Sequence, residues 1–203
     1  MRKLMECVPN FSEGRDSAIV EQIVDEARKI EGITILDYSS DKDHNRTVLT
    51  MIGSPDKIKE AAINTAKKAA ELIDMTKHEG AHPRMGATDV VPFTPVSNVT
   101  IAECIEVAKE VGAEMGSWGI PIYLYEDACT KEDRRNLASV RKGQYEGFFD
   151  KIKDENWAPD FGPQEMNAKS GATAVGARVP LVAFNINLDT PNVEIADKIA
   201  KKI

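Results

Sequence analysis

The alternation of apolar and polar residues along the chain predicts strands and helices in turn. Short runs rich in β-branched residues predict strands, and apolar residues three or four positions apart predict helices. The predicted strands are Leu4–Val8, Ile33–Asp37, Thr47–Ile52, Thr88–Phe93, Ile120–Tyr125, Thr173–Ala177 and Leu181–Asn187. The predicted helices are residues 16–30, residues 55–73, a segment opened by Thr100, short helices within the loop-rich segment 131–170, and Pro191–Ile203.

Local signals set several helix boundaries. Ser54 and Pro55 have the types favoured at an N-cap and at the first helical position. Thr100 and Glu103 have the spacing of a capping box. Gly32 follows an amphipathic run and predicts its end.

The first six elements follow the order β-α-β-β-α-β, which is typical of a ferredoxin-like split β-α-β unit. We therefore predict an α+β fold: a ferredoxin-like split β-α-β unit with extra strands and helices, and a mixed sheet with helices on one face. Residues 1–180 are expected to form this unit. Residues 181–203 are expected to be the opening strand and helix of a second unit that this chain does not contain.

Charge and composition exclude several classes of function. The chain has 203 residues and a net charge of −7, whereas a nucleic-acid binder needs a basic face. The sequence contains no run of about 20 apolar residues and no signal-peptide pattern. We therefore expect neither a membrane protein nor a secreted one. The three cysteines show no pair spacing, which favours a reducing cytoplasm. We expect a cytoplasmic protein whose ligands are small molecules.

Three histidines are the candidates for acid–base chemistry, because imidazole titrates near neutral pH. His78 and His82 form an HExxH string, which binds zinc when both histidines lie on one helical face. Gly80 weakens a helix there, and Pro83 disfavours the helical conformation at His82. We therefore expect no metal. Pro83 and Gly86 instead predict a rigid turn that could hold His82 as a base.

Two further segments have alternative interpretations. Residues 131–142 contain five basic and two acidic residues, which indicates either a solvated helix face or a site that binds carboxylates. The glycine-punctuated loop from Phe161 to Ala172 allows close approach of a ligand to the backbone. By itself that loop is a weak signal.

Five strings occur in order along nearly the whole chain. They are Glu6-Cys7-Val8-Pro9-Asn10-Phe11-Ser12-Glu13-Gly14, Asp43-His44-Asn45-Arg46-Thr47-Val48, the run from His82-Pro83-Arg84-Met85-Gly86 to Phe93, Trp157-Ala158-Pro159-Asp160-Phe161-Gly162-Pro163, and Ala183-Phe184-Asn185-Ile186-Asn187-Leu188. Together they resemble one family, the glutamate formimidoyltransferases. The same family forms the front part of formimidoyltransferase-cyclodeaminases. Five strings in order are far more specific than any one of them.

The resemblance implies transfer of a formimino group from N-formimino-L-glutamate to tetrahydrofolate, the co-substrate, in histidine degradation. It implies that His82 is the catalytic base and that the folate-contacting loop is Pro163, Gln164, Glu165, Met166, Asn167, Ala168, Lys169, Ser170, Gly171 and Ala172. From charge and position we add Arg84 as a residue that binds a substrate carboxylate or stabilises the intermediate. The family fold has two ferredoxin-like subdomains around folate, so we expect a homodimer or a partner C-terminal subdomain.

Three hypotheses follow from the sequence. The first is a formimidoyltransferase. The second is a folate-binding module with little activity, which needs a partner chain or a dimer to complete the cleft. The third is a metal-dependent hydrolase built on the HExxH string.

Overall fold

A computed structural model describes residues 2–181 and 186–202 of the chain. The strands are β1 (Leu4–Cys7), β2 (Asn10–Phe11), β3 (Thr34–Asp41), β4 (Arg46–Gly53), β5 (Thr88–Ser97), β6 (Ile122–Glu126) and β7 (Thr173–Ala177). The α-helices are α1 (Ser17–Arg28), α2 (Pro55–Leu72), α3 (Ile101–Ser117), α4 (Leu137–Arg141), α5 (Gln144–Lys151) and α6 (Val193–Ala200). Short 3₁₀ turns cover Met75–Lys77, Glu132–Arg134 and Glu155–Trp157.

The strands form one mixed sheet. β1 and β2 together fill one position, because each pairs antiparallel with both β4 and β5. β3 pairs antiparallel with β4 on the outer side. On the other side β7 pairs parallel with both β5 and β6, so β6 is the second edge. The prediction of an α+β fold with a mixed sheet is confirmed.

One sheet face carries the three long helices. α2 contacts α1, α3, β1 and β4, and α3 contacts β5, β6 and β7. The strands turn alternate residues toward this layer. In β1 and β4 these are Met5, Cys7, Leu49 and Met51, all of them fully buried. The main apolar core therefore lies between the sheet and α1–α3.

The expectation of helices on one face only is wrong at β6. Ile122 faces α3, since a Cβ added at Gly112 would lie 3.2 Å from its Cγ2 atom. Tyr123 points the opposite way, and its ring meets that of Phe148 on α5 at a centroid distance of 5.3 Å. Because alternate strand residues face opposite sides, the 131–170 segment covers the second face over β6.

Several predicted boundaries need correction. β3 continues to Asp41, because its polar residues pair with β4; Ser40 and Thr47, for example, share a 2.7 Å hydroxyl hydrogen bond. Ser54 is the N-cap of α2, yet its side chain makes no capping bond. Residues 182–185 are the middle of the predicted strand Leu181–Asn187 and lie outside the described residues. The domain boundary near residue 180 stays a prediction.

Candidate active site

A narrow polar hollow lies where β4 and β5 begin. Its walls come from the turn after β2, the β3–β4 turn, the segment before β5 and β5 itself. The lining residues are Ser12, His44, Asn45, Arg46, His78, His82, Arg84 and Asp89. In this state the side chains fill the hollow and leave no room for a water molecule, so a substrate atom can enter only when one of them moves.

His82 lies half-buried in this hollow, between the backbone of Pro83 and the guanidinium of Arg46. Its Nδ1 atom is 2.6 Å from the carbonyl oxygen of Pro83, which can only accept a hydrogen bond. Nη1 of Arg46, which can only donate, lies 2.5 Å from Nδ1 and 2.8 Å from Nε2. The carbonyl group and the guanidinium together position the imidazole, and both tautomers have a partner.

The surroundings keep the His82 imidazole neutral. Burial lowers the pKa of His82 below its ordinary value of 6.5, and the charge of Arg46 lowers it further. The hydrogen bond to Pro83 partly opposes these effects. A neutral imidazole at neutral pH can accept a proton, which is the property a general base requires.

An acidic residue joins two arginines beside His82. Asp89 is almost fully buried, and its carboxylate accepts from Nη2 of Arg141 at 2.8 Å and lies 3.5 Å from Nη1 of Arg46. The sheet register shifts here, because Asn10 pairs with Val90 while Phe11 pairs with Thr88. Asp89 is the extra residue of this bulge, and bulges commonly redirect a side chain.

Asn10 and Ser12 tie β2 to the same site. Asn10 Oδ1 accepts from Nε of Arg46 at 3.0 Å and also from its Nη2 atom. Ser12 Oγ donates to the carbonyl oxygen of Gly86 at 2.8 Å. The guanidinium of Arg46 is thus held by Asn10 on one side and Asp89 on the other.

Arg84 is buried, and its guanidinium is already paired. Both of its Nη atoms donate to the Glu146 carboxylate, at 2.9 and 2.6 Å. Its Nε atom donates to Nδ1 of His78 at 3.2 Å. Arg84 therefore lines the hollow, but in this state the Glu146 carboxylate occupies the two Nη atoms that a substrate carboxylate would need.

The HExxH string does not form the helix that zinc binding needs. The 3₁₀ turn ends at Lys77, and residues 78–82 are not helical. His78 Nε2 lies 3.0 Å from the carbonyl oxygen of Asn45, while its Nδ1 atom accepts from Arg84. Across residues 2–181 and 186–202, no three His, Cys, Asp or Glu side chains are grouped as metal ligands.

The predicted folate loop, residues 163–172, runs beside the segment that carries His82. Met85 and Ala172 share a backbone hydrogen bond of 3.0 Å, and Ala87 donates to Ser170 at 2.8 Å. A Cβ at Gly86 would lie 2.4 Å from the carbonyl oxygen of Ala172, so only glycine permits this approach. None of residues 163–172 lines the hollow, because the backbone of residues 85–87 lies between them.

The basic segment 131–142 divides into two roles. Arg134 is buried and structural: its Nη1 atom donates to Asp160 at 2.6 Å, and its guanidinium packs on the Tyr123 ring. Arg141 reaches Asp89 in the site. Neither a solvated helix face nor a site that binds carboxylates describes the whole segment. Arg134 is a buried structural residue, and Arg141 pairs with Asp89 beside the hollow.

No individual role was predicted for Asn10, Arg46 or Asp89, and Arg141 was predicted only as a member of the basic segment 131–142. The available signal was that Asn10, Arg46 and Asp89 each fall inside one of the strings that resemble the family. Contact between those strings depends on the sheet register, which the sequence did not reveal.

No helix within the described part of the chain is long and apolar enough to cross a membrane.

Comparison with known proteins identifies the family. The model of the formiminotransferase domain, N-terminal subdomain, matches residues 4–178. Glutamate formimidoyltransferase of Streptococcus pyogenes serotype M1 is 55% identical over 204 residues, covering 100% of this chain and 68% of that protein. Glutamate formimidoyltransferase of Thermoplasma acidophilum is 46% identical, covering 98% of this chain and 67% of that protein.

A longer relative shows the same match over a smaller share of its length. Formimidoyltransferase-cyclodeaminase of Dictyostelium discoideum is 51% identical over 189 residues, which cover 93% of this chain but 35% of that protein. The chain thus spans about two thirds of the two glutamate formimidoyltransferases and about one third of the Dictyostelium protein. The family match covers most of the chain and includes every residue that lines the hollow, so this chain belongs to the formiminotransferase domain family, N-terminal subdomain.

Proposed function

We propose that this chain transfers the formimino group of N-formimino-L-glutamate to tetrahydrofolate, giving 5-formiminotetrahydrofolate and L-glutamate. The observation that carries the proposal is the 55% identity, over the whole chain, to a glutamate formimidoyltransferase. The reaction belongs to histidine degradation and folate one-carbon metabolism. The three cysteines are unpaired, which supports a cytoplasmic location.

His82 is proposed as the general base. Folate N5 attacks the formimino carbon, a new C–N bond forms, and the proton that N5 loses passes to the neutral imidazole of His82. The tetrahedral intermediate then breaks its bond to the glutamate nitrogen, which takes up a proton as it leaves. Proton transfer by a positioned side chain contributes about 10²–10⁴ in rate.

Arg46 would have to move before His82 accepts the proton. Its Nη1 atom now lies 2.5 Å from Nδ1 and 2.8 Å from Nε2 of His82, where N5–H of folate would need to approach. Its other contacts, to Asn10 and Asp89, give the guanidinium alternative partners in that step. Arg84 is proposed to bind a substrate carboxylate by exchanging it for Glu146, whose side chain is 64% exposed.

Folate is proposed to place its reacting ring at the hollow and the rest of the molecule over residues 163–172. Residues 1–180 would be the first, ferredoxin-like subdomain, which the order β3-β4-β1/β2-β5 supports. Residues 181–203 would open the second. No metal is part of this mechanism.

A second candidate is a folate-binding module that turns over only when a partner C-terminal subdomain or a second copy completes the cleft. The small volume of the hollow favours it. The two candidates differ in one assay: the initial rate with N-formimino-L-glutamate and tetrahydrofolate on this chain as it stands. Turnover supports the transferase. Folate binding without turnover, restored by a separate C-terminal chain, supports the module, and neither binding nor turnover contradicts both.

A further inference from the structure

Lys151, the last residue of α5, is a cation that the proposed mechanism does not use. Its ammonium lies 3.6 Å from the centre of the Trp157 ring and 4.8 Å from that of Phe148, and such contacts stabilise a cation. Burial lowers the pKa of Lys151 to about 8, and the charges of Arg134 and Lys142 act in the same direction. At neutral pH the amine keeps its proton, so all three of its N–H groups can donate.

The Lys151 ammonium holds the end of helix α4. Its Nζ atom donates to the carbonyl oxygens of Ser139, Val140 and Lys142 at 2.9, 2.6 and 3.2 Å. The last carbonyls of a helix have no partner within it, and a cation there also matches the helix dipole. α4 has only five residues, and a helix of that length is unstable in water on its own. The position of its end therefore depends on contacts such as these.

Arg141 is the last residue of α4 and reaches the candidate active site. Its Nη2 atom donates to Oδ2 of Asp89 at 2.8 Å. Its Nε atom is buried and has no hydrogen-bond partner among residues 2–181 and 186–202. Because the side chain is held at its tip alone within this part of the molecule, the place of the guanidinium depends on where α4 holds the backbone of Arg141.

Asp89 connects Arg141 to the segment that carries His82. Its Oδ1 atom accepts from the backbone N–H of Met85, three residues after His82, at 2.9 Å. Its Oδ2 atom also lies 3.5 Å from Nη1 of Arg46. The charge of Arg141 lowers the pKa of His82, while that of Asp89 raises it. A displaced Arg141 would therefore change the charge around the imidazole.

We propose that Lys151 is a positioning residue for this site: it fixes the end of α4 so that Arg141 pairs with Asp89 beside His82. The inference rests on the proposed function, in which a neutral His82 accepts a proton. Without the Lys151 ammonium, the carbonyls at the end of α4 lose their donor and Arg141 can leave Asp89. The pKa of His82 should then rise, because a nearby positive charge disfavours the protonated imidazole.

The charged and titratable side chains that share the hollow with His82, or pair with Asp89 beside it, belong to the β3–β4 turn, β4, the segment before β5, β5 and α4. They are His44, Arg46, His78, Arg84, Asp89 and Arg141. Within the described part of the chain, Lys151 donates side-chain hydrogen bonds only to residues of α4 and its C-cap. An effect of Lys151 on His82 should therefore act through Arg141.

The test is an NMR titration of the His82 ring in a double-mutant cycle of Lys151→Met and Arg141→Gln on the full chain. The His82 signal is assigned by its absence in His82→Ala. Lys151→Met keeps an apolar stem against Trp157 and removes the N–H donors. We expect it to raise the pKa of His82 by about 0.3–1, and Arg141→Gln to raise it by at least as much. In the Arg141→Gln chain, Lys151→Met should change the pKa no further.

Two controls separate positioning from general effects. Lys153→Met removes the same charge two residues away, from a side chain that is 72% exposed and pairs with Asp150. Thr100→Ala removes a capping bond of α3 and so lowers stability without touching α4. Neither should move the pKa of His82. Lys151→Gln keeps an amide donor near the same carbonyls; it replaces Lys151→Met if that variant does not fold, and it should raise the pKa by a smaller amount.

An unchanged or lowered pKa of His82 in the folded Lys151 variants would overturn the inference. The same holds for no rise in Arg141→Gln, an equal rise in either control, or an undiminished effect of Lys151→Met in the Arg141→Gln chain. The titrations need no turnover, which separates the two proposals. The expected shifts in a chain that transfers no formimino group contradict the proposed function alone, whereas transfer without the shifts contradicts only this inference.

Discussion

At the scale of single residues, the site depends on how His82 is held. Pro83 restricts the backbone and its carbonyl oxygen contacts Nδ1, so part of the orientation of the imidazole follows from a neighbour in the sequence. That part was predictable from the His-Pro pair. The roles of Arg46 and Asp89 were not, because they depend on a strand register and a bulge that no local pattern reveals.

The pH dependence of transfer should report the lowered pKa of His82. Since only the neutral imidazole accepts a proton, kcat/KM should fall as the pH drops through a value below 6.5. Arg46→Gln removes a positive charge that lowers this pKa, so the acid limb should move to higher pH. NMR titration of the His82 ring in both proteins measures the shift directly, with Arg28→Gln, on distant α1, as the control. A pKa at or above the ordinary value in the wild-type chain would contradict this account.

The pairing of Arg84 with Glu146 predicts unequal costs for their removal. Arg84 is buried and donates to both Glu146 and His78, so Arg84→Ala should lower the unfolding free energy by about 2 kcal/mol. Glu146 is mostly exposed, and Glu146→Ala should cost no more than about 1 kcal/mol. Urea denaturation measures both values. Equal costs would mean that the pair, rather than the buried guanidinium, determines the stability.

At the scale of elements, signals that act within a few residues were reliable. The capping box of Thr100 and Glu103 forms as predicted, with both reciprocal hydrogen bonds. The length of β3 was not predicted, because its polar residues belong to the strand only through pairing with β4. The position of α5 was not predicted either, because it depends on the packing of Phe148 against Tyr123 on the second face of the sheet. Such outcomes depend on contacts between distant parts of the chain.

The two helix N-caps give a matched pair of substitutions. Thr100→Ala removes a hydroxyl that accepts from the Glu103 backbone, so it should cost about 1 kcal/mol of unfolding free energy. Ser54 makes no capping hydrogen bond, and Ser54→Ala should stay within about 0.5 kcal/mol of wild type. Thermal or urea unfolding of both variants checks the difference. A larger cost at Ser54 than at Thr100 would be inconsistent with the capping geometry.

At the scale of the whole molecule, the C-terminal helix stands apart from the core. α6 contains no buried residue, and Val193, Ile195 and Ile199 are 78%, 43% and 36% exposed. An apolar helix face in water usually meets a partner. That residues 181–203 open a second unit stays a prediction.

Removal of α6 should therefore leave the fold of the remaining chain intact. A chain ending at residue 190 should keep the urea midpoint of the full chain, because α6 buries none of its side chains against the sheet. If the exposed face drives a homodimer, the same deletion should shift sedimentation from dimer to monomer at equal concentration. A lowered midpoint with unchanged mass would show that α6 stabilises the domain itself.

The most direct test of the central claim is the rate of formimino transfer in His82→Ala. The account predicts a fall in kcat of about 10²–10⁴-fold, with tetrahydrofolate binding retained, because the variant removes the proton acceptor and leaves residues 163–172 in place. Wild-type turnover in His82→Ala would contradict the assignment of His82 as the base.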